Sequence, residues 1–224
     1  MDKKEKASFG MIEFGKGSDY RQVGSASIIY GENGPIVATA AHCVYDFSKK
    51  DYYEEIHFIA INDDGRKYSP IAVAIPKAFV EHTYLEFDTC FLIMEDEFTN
   101  NEKFAQNALQ VGFNMPKELE YSLWGYNGDE NMPVNVCGRA ISDQYKNTTL
   151  QGVMCKTTQM DGLSGGPWIT EIDGVKIQNS ISILSYNSVK DIMWGPYWGK
   201  CIKNAYEVAN NKIVNKKDIE FHVF

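Results

Sequence analysis

Apolar residues come in short bursts along this chain, each closed by a turn signal, and only two stretches repeat them at helical spacing. Residues 25–31 precede Glu32-Asn33-Gly34-Pro35, and residues 36–41 follow it. Strand-length runs around an Asn-Gly predict a hairpin. Residues 56–61 run into the turn cluster Asn62-Asp63-Asp64-Gly65, and residues 68–75 follow. Further strands are predicted at 90–94, 121–126, 134–141, 150–156, 168–172 and 176–186. Many short strands without alternating helices predict an all-β sandwich or barrel. Helix is predicted twice. Residues 102–110 are polar, with Phe104, Ala105, Ala108 and Leu109 on one side; residues 201–214 carry Ile202, Ala205, Val208, Ala209 and Ile213 near a 3.6 period. The polar stretch 99–120 divides the strands into two groups. The expected architecture is therefore two barrel-like halves, residues 1–105 and 106–224, with an α-helix near the C-terminus.

Composition narrows this picture little. The 224 residues are 44% hydrophobic and 23% charged, ordinary for a globular chain and unlike a disordered or collagen-like one. A chain of this size buries roughly 70% of its unfolded surface and needs no metal or disulfide staple. Charge is more selective. With 22 basic and 30 acidic side chains the net charge is −8, which argues against nucleic acid or an anionic membrane as the main partner. The first six residues are basic enough for the start of a signal peptide, but Gly10, Glu13 and Gly15 interrupt the apolar core that should follow. No apolar run approaches the ~18 residues of a membrane-spanning helix. The cysteines Cys43, Cys90, Cys137, Cys155 and Cys201 are odd in number, without a Cys-x-x-Cys pair. Scattered thiols of this kind predict a reducing, cytoplasmic setting, the alternative being a secreted domain whose leader has been removed.

Three short strings carry the chemistry. Thr39-Ala40-Ala41-His42-Cys43 closes a predicted strand, Phe87-Asp88-Thr89-Cys90 opens one, and Gly162-Leu163-Ser164-Gly165-Gly166-Pro167 lies between two more. Each has a plain structural explanation by itself: a packed histidine, a capping aspartate, a tight Gly-Ser-Pro turn. Together they supply a base, an acid that orients it, and a hydroxyl that needs both. A serine hydroxyl is a weak nucleophile until a neighbouring base takes its proton. The remaining histidines, His57, His82 and His222, have no spacing to Cys or carboxylates that makes a metal site, so neither metal nor cofactor is expected.

The three strings, in the order His, Asp, Ser, resemble the chymotrypsin/trypsin-like serine peptidases, a family whose triad is a general template for acyl transfer. Trp124-Gly125-Tyr126-Asn127-Gly128-Asp129 and Cys155-Lys156-Thr157-Thr158-Gln159-Met160-Asp161-Gly162 are similar to segments of its bacterial V8-like, glutamyl-endopeptidase-like branch. The resemblance implies two six-stranded antiparallel β-barrels and a serine endopeptidase acting on protein or peptide substrates. His42 would be the base, Asp88 its orienting carboxylate and Ser164 the nucleophile, with the N–H groups of Gly162 and Ser164 as oxyanion hole. Thr158 would stand at the floor of the primary substrate pocket. Leu184, Ser185, Tyr186 and Asn187 would lie on the strand that pairs with substrate, Ser185 also bonding the triad aspartate. Leu184 replaces the histidine of glutamate-cleaving relatives and Thr158 offers no carboxylate, so an uncharged residue before the scissile bond is expected. Leu163, standing where digestive members carry Asp, removes their mode of zymogen activation. The alternatives are a catalytically silent binding module of the same fold, or a latent protease whose oxyanion loop a partner orders. An α/β-hydrolase esterase would need Ser before Asp before His, which this order excludes.

Overall fold

The structure is a computed structural model and describes residues 7–15, 21–127, 132–155, 162–212 and 216–224. The strands are β1 Phe9–Gly15, β2 Arg21–Ile29, β3 Ile36–Thr39, β4 Tyr45–Asp46, β5 Asp51–Tyr52, β6 Glu55–Ala60, β7 Lys67–Tyr68, β8 Pro70–Pro76 and β9 Cys90–Met94, followed by β10 Gln110–Val111. Then come β11 Glu120–Asn127, β12 Met132–Ser142, β13 Gln151–Met154, β14 Pro167–Ile172, β15 Val175–Ile181, β16 Leu184–Tyr186, β17 Val189–Gly195 and β18 Ile219–Val223. Among the described residues four α-helices interrupt them: α1 Lys77–His82, α2 Asp96–Thr99, α3 Glu102–Asn107 and α4 Lys200–Asn211.

All the strands except β4 and β5, which pair as a two-stranded sheet of their own, form two curled sheets, a chymotrypsin-like double barrel. The first runs β18-β8-β9-β3-β2-β1-β6-β7 and the second β10-β15-β14-β11-β12-β13-β17-β16. Among the described residues each sheet has eight strands where six were expected. The predicted runs 68–75 and 176–186 each break in two, and β1, β10, β17 and β18 join unforeseen. Residues 219–223, which lie in the second half of the sequence, pair antiparallel with β8 and so belong to the first sheet. The pairs are antiparallel apart from β10 beside β15.

Period-two burial builds these sheets. Strand β6 alternates half-buried Glu55, His57 and Ile59 with buried Ile56, Phe58 and Ala60, so one face packs inward. The first core gathers Ile12, Phe58, Phe91 and Leu92, all fully buried, and the second is centred on Trp168 with Tyr121, Leu123, Val153 and Met193. The helix predicted at 201–214 spans Lys200–Asn211 and ends where Lys212 turns left-handed at φ 52°; positions 213–215 lie outside the described residues. Its buried stripe, Ile202, Ala205, Val208 and Ala209, matches the predicted period and packs on β8 and β9.

Candidate active site

His42 and Asp88 arise from neighbouring strand ends. Strand β3 stops at Thr39, whose register partner on β9 is Cys90. A 3-10 turn, Ala41–Cys43, follows the first strand, and another, Leu85–Phe87, delivers Asp88 just before the second. Ala40, Ala41 and Cys43 are completely buried, which pins the turn while the His42 side chain keeps 36% exposure. Asp88 is only 2% exposed, and both its oxygens are engaged by the same residue. The His42 backbone N–H donates to Oδ1 at 3.0 Å, and Nδ1 lies 2.7 Å from Oδ2. A carboxylate at that distance accepts a hydrogen bond from Nδ1–H, so the neutral ring carries its proton on Nδ1 and its free lone pair on Nε2. Burial by itself would lower the His42 pKa, but the Asp88 carboxylate and then the Cys43 thiol outweigh it and hold the pKa well above the ordinary histidine value of 6.5.

Ser164 stands on a loop that only glycine permits. Gly162 and Gly165 have φ of 86° and 85°, in the left-handed region. A Cβ on Gly165 would sit 2.1 Å from the Ser25 carbonyl and 2.2 Å from Thr39 Oγ1. The loop is therefore pressed against the strands that lead to His42. Gly24 marks the same approach, its missing Cβ leaving 2.9 Å to Cys43 Sγ on one side and 3.1 Å to the Ser164 carbonyl on the other.

Hydrogen bonds then clamp the loop between the sheets. Ser25 N–H donates to the Ser164 carbonyl at 2.7 Å, and Ser25 Oγ to the Gly162 carbonyl at 2.6 Å. That same Oγ accepts from Tyr126 N–H at 2.7 Å. Gly165 N–H donates to the Ser182 carbonyl at 2.7 Å, and Ser182 N–H returns to the Gly166 carbonyl at 2.8 Å. With both carbonyls turned back into the protein, the N–H groups of Gly162 and Ser164 have no acceptor among the described residues. The Ser164 hydroxyl donates at 3.4 Å to the carbonyl of Ile183, one residue before β16.

Strand β16 is the last of its sheet, paired through Leu184 with Trp194 and through Tyr186 with Val189. Leu184 and Tyr186 are half-buried, while Ser185 and Asn187 are exposed. The implied bond from Ser185 to Asp88 is not formed: Ser185 faces solvent, and His42 takes both Asp88 oxygens. Thr158 lies outside the described residues. Two features of the site escaped the sequence. One is Ser25, an unremarkable strand serine until the fold sets it against Gly162. The other is Asp143, 3% exposed, which accepts from Tyr145 N–H and Lys146 N–H at 3.0 Å each and from Thr148 Oγ1 at 2.6 Å. Its Oδ2 also lies 3.5 Å from the Tyr186 hydroxyl, so this loop is tied to the end of β16.

The trypsin family model matches residues 5–192, most of the chain. The chain belongs to the trypsin family. Among solved structures it is similar to the protease Anisep from Arthrobacter nicotinovorans, at 27% identity and TM-score 0.79, over 92% of this chain and 96% of that one. A thermostable serine protease, AL20, from an extremophilic microorganism shares the fold at 24% identity and TM-score 0.81, over 93% and 99% of the two chains. A Glu endopeptidase shares it at 12% identity and TM-score 0.68, over 90% of each. No curated protein matches. This family member is a serine-type endopeptidase, a hydrolase of protein or peptide substrates, and its described helices include none long and apolar enough to cross a membrane.

Proposed function

We propose that this trypsin-family chain cleaves peptide bonds through an acyl-enzyme, with His42, Asp88 and Ser164 as its triad and the N–H groups of Gly162 and Ser164 as its oxyanion hole. The observation that carries the reading is the double engagement of buried Asp88 by His42, which leaves Nε2 as the ring's free base, in a turn whose Cys43 meets the Ser164 carbonyl across Gly24. In the acylation step the Ser164 hydroxyl exchanges the Ile183 carbonyl for His42 Nε2 as its acceptor. His42 takes the hydroxyl proton as Oγ attacks the scissile carbonyl, and Asp88 stabilises the imidazolium without being protonated itself. His42 then gives that proton to the leaving amine. Water, deprotonated by the same ring, releases the acid product.

The clamp from Ser25 supports the oxyanion role. It anchors the Gly162 and Ser164 carbonyls on either side of Leu163, and Gly166 N–H, donating to the Leu163 carbonyl at 2.9 Å, fixes the peptide unit that carries the Ser164 N–H before substrate arrives; one such donor contributes ~3 kcal/mol to the transition state. On the substrate strand, Leu184 offers no cation for a glutamate side chain, which supports an uncharged residue before the scissile bond. The five cysteines form no disulfide, and Cys43, Cys90 and Cys155 are buried, which supports a reducing cytoplasmic setting. The direct test is digestion of unfolded, carboxymethylated casein. The wild type is expected to release peptides ending mostly in uncharged residues, and Ser164→Ala to release none. Equal cleavage by the two proteins would refute the assignment.

A further inference from the structure

The two large sheets end in four edge strands, and three of them are accounted for among the described residues. At one end of the first sheet, β7 is only two residues long, and its Lys67 is tied to Glu13 of β1. In the second sheet β10 is equally short and follows Leu109, which bridges to Ile29 of the first sheet. At the other end β16 is the proposed substrate strand. Strand β18 differs from these. It runs for five residues, Ile-Glu-Phe-His-Val, in unbroken register with β8. It has no Lys, Pro or bulge, the devices by which natural edges refuse a further strand.

The ladder to β8 shows which of its backbone groups are taken. Lys77 N–H donates to the Asp218 carbonyl at 3.0 Å, and Phe224 N–H to the Ile71 carbonyl at 3.1 Å. Bonding direction alternates along an antiparallel strand, so Glu220 and His222 also face β8 while Ile219, Phe221 and Val223 face away. The Lys216 carbonyl takes Ile219 N–H at 3.0 Å. Phe221 and Val223 keep outward N–H and C=O groups for which the described residues supply no partner. The surface beside them is apolar: Val223 is 66% exposed, and Ile71 and Phe224 are exposed as well.

The order of side chains in the strand indicates what pairs with it. A second copy laid antiparallel and centred on Phe221 sets Phe221 against itself, Ile219 against Val223 and Glu220 against His222. The two Phe221 residues exchange N–H and C=O, and each Val223 N–H donates to the Ile219 carbonyl across the axis. Neither Glu220 nor His222 forms an ion pair with a described residue, and His222 is already held against the Tyr52 ring at 3.8 Å. In this register carboxylate and imidazole meet directly, once on each side of the axis. A slide of two residues sets Glu220 against Glu220 or His222 against His222, and a slide of one turns the bonding groups away. We propose that β18 is a dimerisation edge, pairing antiparallel with β18 of a second copy of this chain and joining the two first sheets into one. The inference goes beyond the peptidase reading and does not depend on it.

Sedimentation equilibrium of the full chain at concentrations up to about 100 µM tests this. The wild type is expected at twice the mass of the chain. Val223→Pro removes an outward donor and leaves the β8 ladder whole, so the dissociation constant should rise about tenfold at unchanged Tm. Val223→Lys keeps the donor but adds the charge that guards natural edges, and should act in the same direction. Exchanged charges then test the register. Glu220→Lys and His222→Glu should each weaken self-association, and the two proteins mixed in equal amounts should associate as tightly as the wild type. A monomeric wild type at about 100 µM, a dimer indifferent to both Val223 variants, or a mixture no tighter than its components would each overturn the proposal.

Discussion

At the scale of single residues, the proposed triad makes the protonation of His42 decide when the site can work. The base must be neutral to accept the Ser164 proton, and Asp88 holds its pKa well above 6.5. Activity should therefore fall on the acid side along a limb centred above 6.5, measured as kcat/KM against pH. Asp88→Asn removes the charge that raises this pKa and leaves burial to lower it. The limb should move to lower pH, and kcat should drop by about 10⁴-fold as the ring loses its oriented tautomer. An unmoved limb would mean that another group governs the profile. These residues were legible early because their chemistry demands particular side chains: His42, Asp88 and Ser164 can be picked from strings of a few letters. Ser25 could not. Its task, holding Gly162 and Ser164 by their carbonyls, is one that any small donor performs, and it depends on a contact between positions far apart in sequence. Ser25→Ala strips partners from the Gly162 carbonyl and the Tyr126 N–H, with an expected loss of about 1–3 kcal/mol by urea denaturation. A fall in kcat larger than the rise in KM should accompany it. Loss of stability with kcat intact would make the clamp merely structural.

Between single residues and the whole fold, the proposed substrate strand is tied to the loop after β12. Asp143 lies just after β12 and receives four donors from its own loop and from Tyr186. Burial raises its pKa, but the Thr148 hydroxyl and the backbone N–H groups of Lys146, Tyr145 and Thr148 more than offset this, so the carboxyl titrates below the usual carboxylate range. Asp143→Ala should loosen the loop and the end of β16. The expected signature is a KM several-fold higher for long peptides, with kcat for a short chromogenic ester unchanged. Equal loss for both substrates would show a general collapse. Strand positions were readable from alternation, and the 25–41 hairpin closes as its Asn-Gly turn predicts, with Ser27 opposite Ala38. The single run predicted at 176–186 breaks after Ile181, because Ser182 and Ile183 leave the ladder to pair with Gly165, Gly166 and Trp194. Alternation does not report such a change of partner, since the apolar residues continue through it.

For the whole molecule, the unforeseen feature is the return of the C-terminus to the first sheet. The Ile-Glu-Phe-His-Val stretch alternates correctly for a strand, yet nothing in its own letters says which sheet it completes. Strand β18 settles against β8, buries Ile219 and lays His222 on the Tyr52 ring at 3.8 Å, so the chain end covers an edge that would otherwise be open. Ile219→Ala should cost about 2–4 kcal/mol in denaturant unfolding, although the residue lies at the far end of the sequence from that sheet. A value near zero would mean that β18 contributes little. On the proposed reading, the two sheets, the strand ends that present His42 and Asp88, and the clamp across to Ser164 have one common consequence, a hydroxyl that is nucleophilic in the folded protein. The most direct measurement is reaction with a fluorophosphonate probe, followed by peptide mapping. The account predicts saturating, covalent modification at Ser164, abolished in Ser164→Ala and slowed severely in Asp88→Asn. Absence of modification in the folded wild type, or modification at a different serine, would contradict it.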